Sequence, residues 1–167
     1  AGSACGKNLS KETISTIGEQ KESNYALRNG ITKQEFIDEV TDGILPPPGY
    51  FGVNVSLNKN GYDPLDNVMK RSLKSLSITE FINHQENGTI ILDTRTASDF
   101  AKIHIPKSIS IGLEGQFAPW VGAVFPDLKK KLILICPVGK EEETIRRLSR
   151  IGYDEVIGYL EGGIDNW

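Results

Sequence analysis

Three short apolar runs in the second half of the chain constrain its fold more than any other feature. They are residues 89–92 (TIIL), 132–135 (LILI) and 156–160 (VIGYL). Unbroken apolar runs of this length are typical of strands that are buried on both faces of a parallel sheet. Helical stretches follow or separate them at residues 77–86, 96–100, 116–124 and 139–151, and residues 109–111 add a small strand. This alternation predicts an α/β domain with a mainly parallel sheet covered by helices on both faces.

Two helices are predicted in the first 45 residues. One covers residues 10–27, and the second begins at Thr32, where Glu35 completes a capping box. Gly43 is a stop signal, and the three prolines at 46–48 favour an extended polyproline segment. Residues 1–48 are therefore expected to form a helical fragment that ends before the α/β domain.

Residues 49–74 show no sustained periodicity and contain the turn signals Asn60-Gly61 and Asp63-Pro64. Loops of this length are uncommon inside a compact domain and usually join domains or wrap a neighbour. We therefore expect an extended linker over 49–74. The α/β domain is expected to cover residues 75–167.

Charge and composition exclude several classes of function. The net charge of −3 is spread along the chain, which argues against nucleic-acid binding. Neither an apolar run of spanning length nor a leader pattern occurs, so no membrane partner is expected and a cytoplasmic location is predicted. The only histidines, His84 and His104, are far apart, and Cys5 and Cys136 have no ligand pair beside them, so no metal site is expected in this chain.

Two loops are candidates for chemistry because ligands bind at the carboxyl ends of parallel strands. The first is Asp93-Thr94-Arg95, and the second begins at Cys136, directly before a predicted helix. Backbone N–H groups and the helix dipole at such a position stabilise a thiolate and bind a sulfur oxyanion. Two interpretations of Cys136 remain open, a reactive thiol and a buried small residue. Arg95 either contacts substrate or forms a salt bridge with Asp93.

The α/β part resembles a rhodanese. The resemblance extends over about 90 residues and is carried by 91–95 (ILDTR), 104–106 (HIP), Cys136 and 160–167 (LEGGIDNW). It implies that Cys136 is the persulfide carrier, that the substrate is thiosulfate or a low-molecular-weight persulfide, and that a six-residue loop of backbone donors binds it. The implied substrate-binding residues are Val138, Gly139, Lys140, Glu141 and Arg95.

The cysteine loop, residues 136–141, departs from the rhodanese pattern. Pro137 has no N–H to donate, and Glu141 stands where the family usually has Arg, Thr or Ser. With Glu142 and Glu143 following, residues 136–143 carry a net side-chain charge of −2. Because carboxylates disfavour both a thiolate and an anionic substrate, we predict a degenerate, structural module. The alternative is an active sulfurtransferase that uses Cys136. A phosphatase needs a longer loop ending in Arg, which is absent.

The amino-terminal part resembles the end of a metallo-β-lactamase-fold domain, at residues 2–7 (GSACGK), 24–27 (NYAL) and 40–43 (VTDG). The similar proteins fuse a persulfide dioxygenase, or a glyoxalase-II-like hydrolase, to one or two rhodanese domains. The resemblance implies that the parent is an enzyme that binds Fe or Zn through an upstream histidine cluster, and that no cofactor belongs to this chain. Cys5 is either inert packing or faces that metal pocket.

Together these observations predict a rhodanese-homology module in a bacterial persulfide dioxygenase and sulfurtransferase of sulfide detoxification. The chain is expected to begin within a domain. Its expected partners are the upstream metallo-β-lactamase domain and a following rhodanese domain, or further copies of itself in an oligomer.

Overall fold

The computed structural model describes residues 13–44, 47 and 49–167. The chain divides into two compact units, with the boundary between residues 46 and 47. Cys5, residues 10–12 of the first predicted helix and most of the proline run lie outside the described residues.

The first unit contains two short helices, α1 (Ile17–Ser23) and α2 (Lys33–Thr41). Each begins with a capping box, formed by Thr16 with Glu19 and by Thr32 with Glu35. The start of α2 at Thr32 is confirmed. The helix predicted for residues 10–27 is shorter than expected, because the box at Thr16 sets its start within the described residues.

The second unit is an α/β fold, and its fold class is the one predicted. Its strands are β1 (Ser75–Leu76), β2 (Ile90–Asp93), β3 (Ile109–Ser110), β4 (Leu132–Ile135) and β5 (Val156–Leu160). Its helices are α3 (Phe51–Asn60), α4 (Leu65–Ser72), α5 (Ile78–Glu86), α6 (Ala97–Lys102), α7 (Phe117–Val124), α8 (Glu141–Ser149) and α9 (Gly163–Asn166).

All strand pairs are parallel, and the order is β1-β5-β4-β2-β3. The two edge strands, β1 and β3, are only two residues long. Alternate residues of β4 enter two different cores, since successive side chains of a strand point to opposite faces. Leu132 and Leu134 pack with residues of α7 and α8, whereas Ile133 and Ile135 pack with Phe81 of α5. Both faces of the sheet are therefore covered, as an all-parallel sheet requires.

The extended conformation expected for residues 49–74 is wrong, because α3 and α4 lie there. The dipeptide Asp63-Pro64 predicts a turn, but Pro64 directly precedes the first residue of α4, and proline is tolerated at the start of a helix. Val68 of α4 is fully buried, and Tyr50 is 7% exposed and belongs to the core that covers β4. This segment is therefore part of the second unit.

Candidate functional site

The two predicted loops meet at the carboxyl edge of the sheet. Asp93 ends β2 and Cys136 directly follows β4, and the two strands are paired in register. The Thr94 N–H donates to the carbonyl of Ile135 at 2.8 Å, which extends the pairing by one residue. Cys136, Thr94 and Arg95 are thus brought together as parallel strand ends require.

Cys136 is a buried thiol. It is 5% exposed, and it follows four apolar strand residues that are all buried. The pKa of this thiol is raised from 9.0 to about 11. Burial is the main cause and the carboxylates of Glu141 and Asp93 add to it, while hydrogen bonding with Thr144 and Thr94 acts in the opposite direction. Desolvation is the largest cause, because a thiolate is poorly stabilised in an apolar environment. At neutral pH the group is a protonated thiol.

Two backbone donors of the cysteine loop, those of Gly139 and Lys140, already have acceptors within the loop. Pro137 has no N–H, and the Lys140 N–H donates to the Pro137 carbonyl at 2.9 Å. The Gly139 N–H donates to a carboxylate oxygen of Glu141 at 3.2 Å. Gly139 has φ +81°, a left-handed conformation that glycine adopts without steric cost. The turn is therefore stable as it stands, with fewer N–H groups available for an anion.

The Lys140 ammonium is paired with a carboxylate of the same segment. This ammonium donates to Glu143 at 2.8 Å, and this contact raises the pKa of Lys140. The Lys140 carbonyl accepts a hydrogen bond from the Thr144 hydroxyl at 2.7 Å. Val138, at the tip of the loop, is 84% exposed and its side chain offers no polar contact.

Arg95 forms the salt bridge that was one of its two predicted roles. The guanidinium donates through Nε and Nη2 to the Asp93 carboxylate at 3.0 and 2.6 Å, and Nη2 also donates to the Ile103 carbonyl at 2.8 Å. Asp93 is fully buried and Arg95 is 7% exposed. A bidentate buried pair of this kind fixes the loop after β2. Substrate contact by Arg95 stays a prediction.

Two cavities flank Pro137. The smaller, of about 290 Å³, is lined by Cys136, Val138 and Arg95 together with Gly163 at the start of α9. The larger, of about 940 Å³, lies toward α7 and is lined mainly by apolar groups, including Trp120, which is 61% exposed. Of these two cavities, the smaller is the one that Cys136 lines.

Thr144 and Trp120 were missed as site residues. Thr144 follows Lys140 by four positions, so a helix starting at Glu141 turns its hydroxyl back toward the loop. That spacing was the available signal. The position of Trp120 depends on how α7 packs, and no local sequence pattern predicts that packing.

Within residues 13–44, 47 and 49–167, no group of three or more His, Cys, Asp or Glu side chains is placed to hold a metal ion. His104 stacks on Phe100 and bonds the Phe100 carbonyl through Nδ1 at 2.9 Å. None of the helices in the described part of the chain is long and apolar enough to cross a membrane.

Comparison with known proteins identifies the family. The family model described as "Rhodanese-like domain" matches residues 77–167, more than half of the sequence. The chain belongs to the rhodanese-like family. The resemblance drawn from the cysteine loop and its neighbouring motifs is thereby confirmed. No curated protein matches the chain.

Several solved structures are similar to this rhodanese-like chain. A metallo-β-lactamase from Staphylococcus aureus subsp. aureus COL is 23% identical with a TM-score of 0.64, over 87% of this chain and 40% of that one. The single-domain sulfurtransferase RDL2 of Saccharomyces cerevisiae is 24% identical with a TM-score of 0.45, over 57% and 88% of the two chains. The human single-domain sulfurtransferase TSTD1 is 20% identical with a TM-score of 0.44, over 56% and 93%. The chain thus spans less than half of the staphylococcal protein, and that likeness concerns the fold.

Proposed function

We propose that this chain is a non-catalytic rhodanese-homology module of a metallo-β-lactamase-fold persulfide dioxygenase and sulfurtransferase. The observation that carries the proposal is the state of Cys136, a thiol that is 5% exposed and whose pKa is about 11. Sulfur transfer begins with a thiolate, because the thiol itself is a poor nucleophile. Compared with a thiol of pKa 9.0, the thiolate fraction at neutral pH is lowered about a hundredfold.

The backbone N–H groups of the loop that already have acceptors also support this proposal. A persulfide or thiosulfate needs several N–H groups aimed at its charged end, as phosphates do at helix N-termini. Here one position is Pro137, and the N–H groups of Gly139 and Lys140 already have acceptors. The loop is arranged for stability rather than for anion binding.

The surface of the first unit supports a role within a larger assembly. None of the described residues between 13 and 44 is buried. Several of its large apolar side chains are exposed, among them Ile17, Leu27 and Phe36. Uncovered apolar side chains of this kind are usual where another surface packs. The likeness to the staphylococcal metallo-β-lactamase covers 87% of this chain, which is more than the rhodanese-like part alone.

In this proposal the upstream metallo-β-lactamase domain covers the first unit and holds Fe or Zn through its own histidine cluster. The rhodanese-like unit docks that domain to a following rhodanese or to another copy, in the cytoplasm of a sulfide-detoxifying bacterium. Low-molecular-weight persulfides are the substrate of the whole protein. A glyoxalase-II-like hydrolase is the alternative parent, and it would act on glutathione thioesters instead.

The second candidate function is an active sulfurtransferase. The smaller cavity favours it, because this space reaches both Cys136 and the loop tip. In that reaction the Cys136 thiolate attacks the outer sulfur of thiosulfate. The sulfur–sulfur bond of the donor breaks, sulfite leaves with the electron pair, and a cysteine persulfide remains, which a thiol acceptor then discharges.

Sulfurtransferase assays distinguish the two functions. The chain and its Cys136→Ser variant are incubated with thiosulfate and with glutathione persulfide, and intact mass is measured for addition of one sulfur atom. A folded protein without turnover or adduct is the expected result. Turnover and an adduct that both disappear in the Ser variant would establish a catalytic rhodanese and refute the proposal.

A further inference from the structure

The hydrogen bond between Glu141 and the cysteine loop differs from the other contacts of the acidic run. Glu142 pairs with Arg146 at 2.7 Å and Glu143 pairs with Lys140 at 2.8 Å, so both carboxylates are neutralised by side chains. Glu141 instead accepts from the Gly139 backbone N–H at 3.2 Å. Among these three glutamates it is the one whose carboxylate contacts the loop backbone.

The Glu141 carboxylate accepts the kind of backbone hydrogen bond that an anionic substrate of this loop would need. A sulfur donor with a charged terminus needs a backbone N–H of the loop, and a carboxylate that already accepts from Gly139 both occupies the donor and repels a second anion. Glu141 is also one of the two acidic side chains close enough to Cys136 to disfavour its thiolate. One side chain therefore opposes substrate binding and nucleophile formation together.

We infer that Glu141 is an autoinhibitory residue, whose carboxylate blocks the cysteine loop as an internal anion, and that its removal makes Cys136 able to accept a sulfane sulfur. This inference rests on the proposed function, because it explains why the module is inactive. It also goes beyond that proposal, since it states that the loss is reversible by one substitution. Cys136 and the smaller cavity that it lines are both present in this chain.

Sulfur transfer from thiosulfate to Cys136 balances without another reactant. The Cys136 thiolate and thiosulfate give a Cys136 persulfide and sulfite, with one sulfur–sulfur bond formed, one broken, and the total charge unchanged. The Gly139 N–H, freed from Glu141, then donates to the terminal sulfur.

Three variants test the inference. Glu141→Ala removes both the charge and the acceptor, and Glu141→Gln removes the charge but keeps an oxygen that accepts from Gly139. Glu142→Ala is the matched control, because it removes a carboxylate one position away that pairs with Arg146 instead of the loop. Three quantities are measured for each: alkylation rate of Cys136, sulfur addition from thiosulfate by intact mass, and hydrogen exchange of the Gly139 amide.

We expect Glu141→Ala to raise the alkylation rate a few-fold, because it removes one nearby charge while burial, the largest cause of the raised pKa, remains. Sulfur addition to Cys136 should appear in that variant and vanish when Cys136→Ser is added. Glu141→Gln should give a smaller increase, and Glu142→Ala should match the parent chain. The Gly139 amide should exchange faster in Glu141→Ala.

The outcomes separate this inference from the proposed function. Sulfur transfer by the unmodified chain refutes the proposed function. An inert Glu141→Ala variant whose Gly139 amide exchanges faster refutes the inference and leaves the proposed function intact. Equal gains in Glu141→Ala and Glu142→Ala, or in Glu141→Ala and Glu141→Gln, also refute it, because charge alone would then explain the effect.

Discussion

The packing of Tyr50 on Gly122 tests whether the segment before the sheet belongs to the rhodanese-like unit. Gly122 lies in α7 and has no Cβ, and the Tyr50 ring occupies that space. A Cβ at this position would lie 2.0 Å from Cδ1 and 2.5 Å from Cε1 of the ring. Carbon atoms pack at about 3.5–4.0 Å, so Gly122→Ala would displace the ring by roughly 1.5 Å or more.

The expected free-energy change follows from two opposing effects. Displacing a buried aromatic ring costs about 3 kcal/mol, whereas alanine gains about 1 kcal/mol over glycine inside a helix. Gly122→Ala should therefore destabilise the chain by about 2 kcal/mol. In a Tyr50→Ala background the clash is absent, and the same substitution should stabilise the protein by about 1 kcal/mol. The coupling energy of the pair is about 3 kcal/mol.

Urea denaturation followed by circular dichroism measures these values for both single variants and the double variant. Gly52→Ala is the matched control, because Gly52 is also helical but nothing lies within 4 Å of its Cβ position. This control should stabilise the chain. If Gly122→Ala stabilised the parent chain as Gly52→Ala does, or if the double variant showed no coupling, the packing of Tyr50 on α7 would be refuted.

Three further predictions concern buried groups. Arg95→Ala leaves the fully buried Asp93 carboxylate without its cationic partner and should cost about 3–5 kcal/mol in urea denaturation, with partial recovery in Asp93→Ala/Arg95→Ala. The pKa of Cys136 is higher in the folded chain, so its stabilising contribution is complete below pH 9 and is lost as pH rises to about 11. Over that pH range the free energy of unfolding should fall by roughly 1–3 kcal/mol more than it does in Cys136→Ala, and the melting temperature should fall with it. The buried Ser72 hydroxyl has no partner among the described residues, so Ser72→Ala should leave the melting temperature unchanged or raise it by the equivalent of about 1 kcal/mol, and a clear fall would contradict this.

Features that depend on neighbours in sequence were predicted well. The capping box at Thr32 joins residues three positions apart and is present, and a helix covers most of the predicted stretch 77–86. The apolar run at 132–135 is a central strand with all four residues buried, as its composition indicated. Such local patterns determine where elements begin and which of them lie in the core.

Features that depend on packing were not predictable in the same way. α3 contains Asn54, Asn58 and Asn60, residues of low helix propensity, so its local composition did not predict a helix. The sequence placed acidic residues after Cys136, but the contact of Glu141 with Gly139 depends on the path of the loop into α8. The hydrogen bonding of the Cys136 thiol likewise involves Thr94, which is distant in sequence.

The short edges of the sheet limit how this protein can associate. An incoming strand needs a row of free backbone N–H and carbonyl groups, and β1 and β3 are two residues long. Strand addition to either edge would therefore form few ladder hydrogen bonds. A partner must instead recognise helix faces and loop tips, and mutations that alter assembly should map to side chains such as Val138 and Trp120 rather than to the sheet margins.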